Sequence, residues 1–214
     1  MNISYLIGLV ISTLAFLLSI SFHEFAHGYA AYKMGDPTAK ITGRLSFNPF
    51  KHFDLFGIIF FLVFHFGWAK GVPIDPRFFK DRKKGMVFSA LAGPCINILL
   101  ALISLVLLNL IYKIEFTSKI WYTVFTYIAM FFNYMVSVNA MLAIFNLLPI
   151  PPLDGSKIFF AVLPEDKYFK VLSYDRYMMI ISLILVYTGV LDKIIFTGVN
   201  NLISVLEKFV GVFI

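Results

Sequence analysis

Residues 3–27 read ISYLIGLVISTLAFLLSISFHEFAH, an apolar run that ends in two histidines and a glutamate. Residues 1–22 contain no charged side chain, and about 20 apolar residues are enough to cross the hydrocarbon core of a bilayer. We therefore predict one membrane-spanning helix from about Ile3 to about Met34. Gly35 and Pro37 follow it and are typical of a helix end, because glycine adopts the left-handed cap and proline cannot continue the helix.

The composition of the whole chain is that of a membrane protein. Of its 214 residues, 60% are hydrophobic and only 14% are charged, whereas an ordinary soluble domain has about 25% charged residues. The single cysteine, Cys95, excludes a disulfide framework and a cysteine-based zinc ribbon. The formal net charge of +6 comes from residues that flank apolar segments. We expect these charges to meet the headgroups of the lipid bilayer, and we expect no nucleic-acid partner.

Further apolar segments predict an all-α polytopic membrane protein. Met86–Tyr112 and Ile120–Leu153 contain no charged residue, and three prolines break the far end of the second segment. Tyr177–Leu191 and Ile194–Leu206 are shorter apolar runs that form one or two closing helices. We expect a three-helix core, a re-entrant segment, and one or two C-terminal helices.

The apolar segment Phe53–Phe66 is too short to span the membrane. As a helix it covers about 21 Å, while the hydrocarbon core is about 30 Å thick. Lysines and arginines lie on both sides of it, and cytoplasmic loops are rich in these residues. We therefore predict a re-entrant or interfacial segment whose two ends are both cytoplasmic. The same charge pattern predicts a multi-pass protein of the cell membrane with its amino terminus outside.

The chain is predicted to form a single integral membrane domain, residues 1–214. Within this domain we distinguish a core of residues 1–157 and a re-entrant or interfacial element of residues 48–70. Accessory C-terminal helices are expected within residues 172–214. The sequence shows no internal repeat that would divide the domain differently.

His23, Glu24 and His27 form the pattern H-E-x-x-H on the first predicted helix. Residues four apart share a helix face, so both imidazoles can bind one Zn²⁺, with Glu24 beside them as a general base. The alternative is a helix end whose polar side chains reach lipid headgroups. Ionisable residues inside a span are costly, and this location favours a functional metal site with one zinc ion per chain.

A catalytic zinc site needs a third protein ligand, and Asp154 is the strongest candidate. It follows the proline-rich end of Ile120–Leu153 and precedes Gly155. If Phe53–Phe66 is re-entrant, the chain crosses the membrane twice between His27 and Asp154. Two crossings return Asp154 to the side of the histidines, near the cytoplasm. The alternative for Asp154 is a plain turn or helix start at the surface.

Two further polar residues, Asn97 and His52, are weaker candidates for substrate binding. Asn97 lies inside an apolar span, where a polar side chain is expected to face the helix bundle. It either contacts the site or packs one helix against another. His52 belongs to a polar group at the start of the re-entrant segment. It either contributes to the site or anchors the chain at the membrane interface.

These motifs together resemble those of the site-2 protease family of intramembrane zinc metalloproteases. The resemblance rests on HEFAHG at 23–28, AGPCIN at 92–97 and NLLPIPPLDG at 146–155. The last stretch matches the family's N-x-x-P-x-P-x-L-D-G pattern at every fixed position. The sequence is most similar to the short prokaryotic members, which carry no PDZ domain.

The resemblance implies that a three-helix catalytic core holds zinc through His23, His27 and Asp154, with Glu24 as the catalytic base. It also implies that Asn146 helps to hold the substrate backbone. The implied activity is that of a zinc metalloendopeptidase. The implied partner is a membrane-protein substrate, which is cut in or near a transmembrane segment.

Three other functions fit parts of the pattern. A transporter or ion channel would use the intramembrane acids and histidines as an ion pathway, but it should show inverted repeats or paired broken helices, and only one broken segment is clear. A silent relative would bind membrane segments without cutting them, and the intact Glu24 argues against it. A metal sensor would need a closed site with a fourth protein ligand such as His52.

Overall fold

The structure is a computed structural model that describes residues 3–52, 54, 55, 57, 59, 70–115 and 117–212. Every regular element in these ranges is an α-helix or a short 3-10 turn. Most of the predicted re-entrant segment Phe53–Phe66 lies outside the described residues, so this part of the expectation stays a prediction. The proposed division into core, re-entrant element and accessory helices stays a prediction as well.

The described helices follow one another along the chain with few long connections. They are α1 (Ile3–Lys33), α2 (Thr38–Ile41), α3 (Arg82–Tyr112), α4 (Lys119–Asn146), α5 (Asp154–Phe159), α6 (Glu165–Leu172), α7 (Asp175–Tyr187) and α8 (Asp192–Gly211). Four of these described helices, α1, α3, α4 and α8, are long and apolar enough to cross a membrane. The predicted class, an all-α polytopic membrane protein, is confirmed.

The observed helix ends follow from the residues that were expected to stop them. Helix α1 ends at Lys33, and Gly35 has a φ of +111°, a conformation that side chains with a Cβ rarely adopt. Helix α4 ends at Asn146, before the three prolines, because proline lacks the backbone donor that a helix needs. The tail forms two helices, and only the second of them, α8, is long enough to span.

Helices α1, α3 and α4 pack against one another and form the centre of the molecule. Small side chains allow this close approach, as is usual between membrane helices. Ala15 of α1, Ala101 of α3 and Ala140 of α4 are each fully buried. Helix α8 closes one side of this bundle, where Leu206 and Val210 join a cluster with residues of α3 and α4.

The end of α1, the start of α3 and the end of α4 lie together at one end of the bundle. After α4 the chain runs through the irregular residues 147–153 and turns back into α5, whose first residue is Asp154. Gly155 is packed directly beneath the preceding turn, since a Cβ at this position would overlap the carbonyl oxygens of Leu147 and Leu148. A glycine is therefore needed to place Asp154 at this end of the bundle.

We predict that Gly155→Ala destabilises the protein, because its methyl group has no space next to the backbone of Leu147. Overpacking of this kind typically costs about 1–3 kcal/mol of unfolding free energy. The midpoint of thermal unfolding of the detergent-purified protein should fall accordingly. Gly211→Ala is the matched control, since nothing lies within 4 Å of its added Cβ. Equal unfolding midpoints for the two variants would contradict the packing described for Gly155.

Candidate metal centre

Three potential ligand atoms converge where the helix ends meet. The Nε2 atoms of His23 and His27 lie 2.9 Å apart. Asp154 Oδ2 lies 3.2 Å from the first nitrogen and 2.9 Å from the second. All three side chains are buried, with relative exposures of 4%, 7% and 6%. The three atoms form a nearly equilateral triangle in the interior of the protein.

The hydrogen bonds of the two imidazoles determine which nitrogen of each ring carries the proton. His27 Nδ1 lies 2.7 Å from the backbone carbonyl of Ser89, which can only accept, so this nitrogen donates. His23 Nδ1 lies 2.5 Å from Asn97 Oδ1, which accepts in the same way. In the neutral rings both Nε2 atoms then present lone pairs toward each other and toward the Asp154 carboxylate.

This donor set fits a divalent metal ion. A cation among two lone pairs and a carboxylate oxygen that lie within about 3 Å of one another removes their mutual repulsion. Ligand atoms of a tetrahedral zinc, each about 2.0–2.1 Å from the ion, lie about 3.3 Å apart, close to the edges of this triangle. Two histidines and one carboxylate with a further open position make up one of the known sets for catalytic zinc.

Helix α3 approaches the two histidines through Gly93. A Cβ at this position would overlap His27 Nε2 and would lie 2.5 Å from His23 Cε1. The glycine thus lets the backbone of α3 lie directly against both rings. The packing partners of this glycine are therefore the presumed ligands themselves.

A buried chain of hydrogen bonds holds the ring of His23. Asn97 Nδ2 donates to Asn139 Oδ1 at 2.7 Å, and Asn139 Nδ2 donates to Ser19 Oγ at 2.8 Å. Asn97, Asn139 and Ser19 are fully buried and come from α3, α4 and α1, respectively. The chain therefore ties all three central helices to the orientation of one imidazole. Outer-shell partners of this kind orient ligands and tune metal affinity.

Asn97 and His52 are the two weaker candidates for substrate binding, and both side chains are fully buried. Asn97 is fully buried behind His23 and does not line the cavity at the site. His52 is also fully buried; its Nε2 lies 2.7 Å from the Ser46 carbonyl, and its own carbonyl accepts from Lys70 N. The substrate-binding role expected of both residues stays a prediction.

Glu24 lies next to the ligand triangle, and a backbone amide holds its carboxylate. Val72 N donates to Glu24 Oε2 at 2.7 Å. The segment that carries Val72 is anchored by Arg44, whose guanidinium donates to the carbonyls of Lys70 and Gly71. The connection between α1 and α3 thus reaches back over the motif and fixes the carboxylate that was expected to act as a base.

The far end of this connection is tied to the end of α1 by the side chain of Asp36. Asp36 is fully buried, and its Oδ2 accepts from Asp75 N at 2.7 Å. Hydrogen bonds from Arg77 lower the pKa of the Asp75 carboxyl to about 2, so this side chain stays charged at neutral pH. The segment over Glu24 is therefore held at both of its ends.

A cavity of about 380 Å³ opens onto the ligand triangle. Its walls come from α1, α3, the segment around Val72 and the turn between α4 and α5. The residues that matter for chemistry on these walls are His23, Glu24, His27, Asn146, Asp154 and Lys157. The structure thus brings the three presumed ligands, the presumed base and Asn146 to one space.

Several residues of the site were not identified from the sequence. The sequence does mark Asn139, because it is a polar residue within an uncharged span, where such residues are costly and face the bundle. Lys157 has a weaker signal in its spacing of three residues from Asp154. Val72 and Ser89 act through backbone atoms, so their side chains carry no signal.

We predict that Gly93→Ala abolishes tight metal binding, because the new methyl group occupies the space of the imidazoles. Zinc content per chain, measured by elemental analysis of the purified protein, should fall from about one to near zero. Gly198→Ala is the control, since its Cβ crowds Ile144 on the far side of α4 at 2.8 Å without touching the site. A Gly93→Ala protein that keeps its zinc would contradict the described contact.

We also predict that Asn97→Ala weakens zinc binding by about 10–100-fold, the usual effect of removing the partner that orients a metal-bound histidine. Competition with a zinc-chelating dye measures the affinity. Asn109→Ala serves for comparison, because Asn109 lies on the same helix and donates to Leu105 O, a carbonyl of that helix. If both variants bound zinc as the unaltered protein does, Asn97 would not be orienting His23.

Comparison with known proteins identifies the family to which the chain belongs. Residues 11–189 match the family model of Peptidase family M50. A Bacillus subtilis protein named “Putative zinc metalloprotease YwhC” is 37% identical over 198 residues, which cover 92% of this chain and 90% of that protein. No solved structure matches the chain.

Two more distant relatives carry the same descriptive name. Rip2 of Mycolicibacterium smegmatis is 29% identical over 72% of this chain and 57% of its own length. MJ0611 of Methanocaldococcus jannaschii is 31% identical over 73% of this chain and 72% of its own length. These names and the buried His-His-Asp group agree on zinc as the metal. The chain belongs to Peptidase family M50, the site-2 protease family, and is a multi-pass membrane protein of the zinc metalloprotease type.

Proposed function

We propose that the protein is an intramembrane zinc metalloendopeptidase that hydrolyses a peptide bond in or near a transmembrane segment of a membrane-protein substrate. The observation that carries this proposal is the shared cavity of Glu24 and the ligand triangle. A carboxylate beside a metal site with an open position is the arrangement that metal-assisted peptide hydrolysis requires.

The location of the site supports cleavage within the membrane. His23, Glu24 and His27 belong to α1, one of the described helices that are long and apolar enough to span. Charged groups at such a depth are costly and are kept where they serve a function. The cavity beside them gives water and an extended peptide a polar path into an otherwise apolar bundle.

The proposed chemistry assigns the proton transfers to Glu24. Zinc, when bound, acidifies a water molecule and polarises the carbonyl of the scissile bond. Glu24 takes a proton from the attacking water and passes it to the amine that leaves when the C–N bond breaks. The hydrogen bond from Val72 N holds one oxygen of this carboxylate in place.

A substrate helix has to unwind locally before its peptide bond can reach Glu24, because its backbone groups are hydrogen-bonded to one another. Asn146 lies on the cavity wall at the end of α4, where α4 gives way to the irregular residues 147–153. Backbone carbonyls of this stretch and the amide of Asn146 can pair with an extended segment, as an added strand pairs with a sheet edge.

The charge pattern supports a site near the cytoplasmic side of the cell membrane. Lys33 ends α1, and Arg82 begins α3 at the same end of the bundle as the ligand triangle. Lysine and arginine are enriched in cytoplasmic loops. Water and the released fragment would then exchange with the cytoplasm.

We predict that Glu24→Gln abolishes peptide cleavage, with a loss of at least about 100-fold, because the amide cannot accept the proton. The protein is produced in bacterial cells, and new amino termini within transmembrane segments of the host's membrane proteins are identified by mass spectrometry. The variant should keep about one zinc per chain, since Glu24 is not a ligand.

Glu207→Gln is the matched control, because Glu207 is an exposed glutamate of α8 away from the cavity. New termini that persist in Glu24→Gln would refute the assigned role of this residue. Metal-ion flux in proteoliposomes without any peptide cleavage would favour a transporter instead.

A further inference from the structure

The two oxygens of the Asp154 carboxylate have different partners. Oδ2 faces the histidines, at 3.2 Å from His23 Nε2 and 2.9 Å from His27 Nε2. Oδ1 accepts a hydrogen bond from Lys157 Nζ at 2.9 Å. The carboxylate thus offers one oxygen to the ligand triangle while an ammonium group holds the other.

This difference matters because a carboxylate can bind a metal through one oxygen or through both. If both oxygens bound beside the two histidines and a water molecule, the ion would have five ligands, and the second oxygen would crowd the position that a catalytic zinc site keeps for water and substrate. A hydrogen bond between two charged groups is about twice as strong as one between neutral groups. The ammonium of Lys157 therefore competes with the metal for Oδ1.

The fold holds the ammonium of Lys157 beside Asp154 Oδ1. Asp154 is the first residue of α5, and a residue three positions further along lies on the same helix face. The backbone carbonyl of Lys157 accepts from the hydroxyl of Tyr168 at 3.0 Å, and Tyr168, on α6, is fully buried. The Lys157 side chain is only 24% exposed and lines the cavity.

We propose that Lys157 is a positioning residue that keeps Asp154 a one-oxygen ligand and thereby keeps one coordination position open. The inference rests on the proposed zinc site and adds a residue that acts through Asp154. It assigns to α6 a share in the site as well, because Tyr168 fixes the backbone from which Lys157 extends.

Cobalt absorption spectroscopy tests this proposal without any substrate. The full chain is purified in detergent, freed of metal with a chelator and saturated with Co²⁺, whose visible absorption is strong with four ligands and weaker with five. Lys157→Met frees Oδ1, so its absorption per bound cobalt should fall to about half or less of that of the unaltered protein. Lys157→Arg supplies another charged donor and should restore most of the intensity.

Lys84→Met is the matched control. Lys84 Nζ lies 3.3 Å from Oδ2 of Asp81, the carboxylate three residues before it, and Lys84 does not line the cavity. Its cobalt spectrum should equal that of the unaltered protein. A spectrum of Lys157→Met that also equals it would overturn the proposed role of Lys157, while cobalt binding by the unaltered protein would still support the metal site.

Lys157→Gln replaces Lys157→Met in the cobalt experiment if Lys157→Met does not fold. The amide loses the charge but keeps most of the bulk of the side chain, so its absorption should lie between those of Lys157→Met and the unaltered protein. An unchanged spectrum would overturn the proposal here too. Failure of the unaltered protein to bind Co²⁺ or Zn²⁺ at all would overturn the proposed function together with this inference.

Discussion

The packing of the central helices depends on the repulsion among His23 Nε2, His27 Nε2 and Asp154 Oδ2. Three electron-rich atoms lie within 3.2 Å of one another in a buried site, and their other hydrogen-bonding partners leave the lone pairs facing inward. A cation among these atoms would turn the repulsion into attraction. A bound metal ion would therefore stabilise the bundle, because helices from three parts of the chain meet at this one point.

Small and polar residues of the central helices surround the two histidines of the site. Gly93 lets α3 lie against both imidazoles, where any other residue would displace them. Asn97 and Asn139 join α3 and α4 to the ring of His23 through buried hydrogen bonds. Polar groups buried in an apolar bundle must be satisfied, so the same bonds that orient the ligand also fix how the helices pack.

The acidic groups of the site are held by different means, which separates their roles. Asp154 is placed by Gly155 and by the start of α5, and Lys157 engages the oxygen that does not face the histidines. Glu24 shares the cavity but is held by the backbone of Val72, on a segment that is itself anchored by Arg44. One carboxylate thereby faces the two histidines, and the other lies beside them in the same cavity, where we propose that it accepts the proton.

The sequence by itself determined the class of protein, the ends of the long helices and the presumed ligands. These follow from local rules: uncharged runs long enough to span, proline and glycine at helix ends, and the four-residue spacing of His23 and His27. Only the tertiary structure decided the contacts of Asn97, Lys157 and Val72. Asn97 lies against His23, because its helix packs against α1 at Gly93. Val72 acts through its backbone amide, which every residue except proline carries, so no pattern of side chains can reveal it.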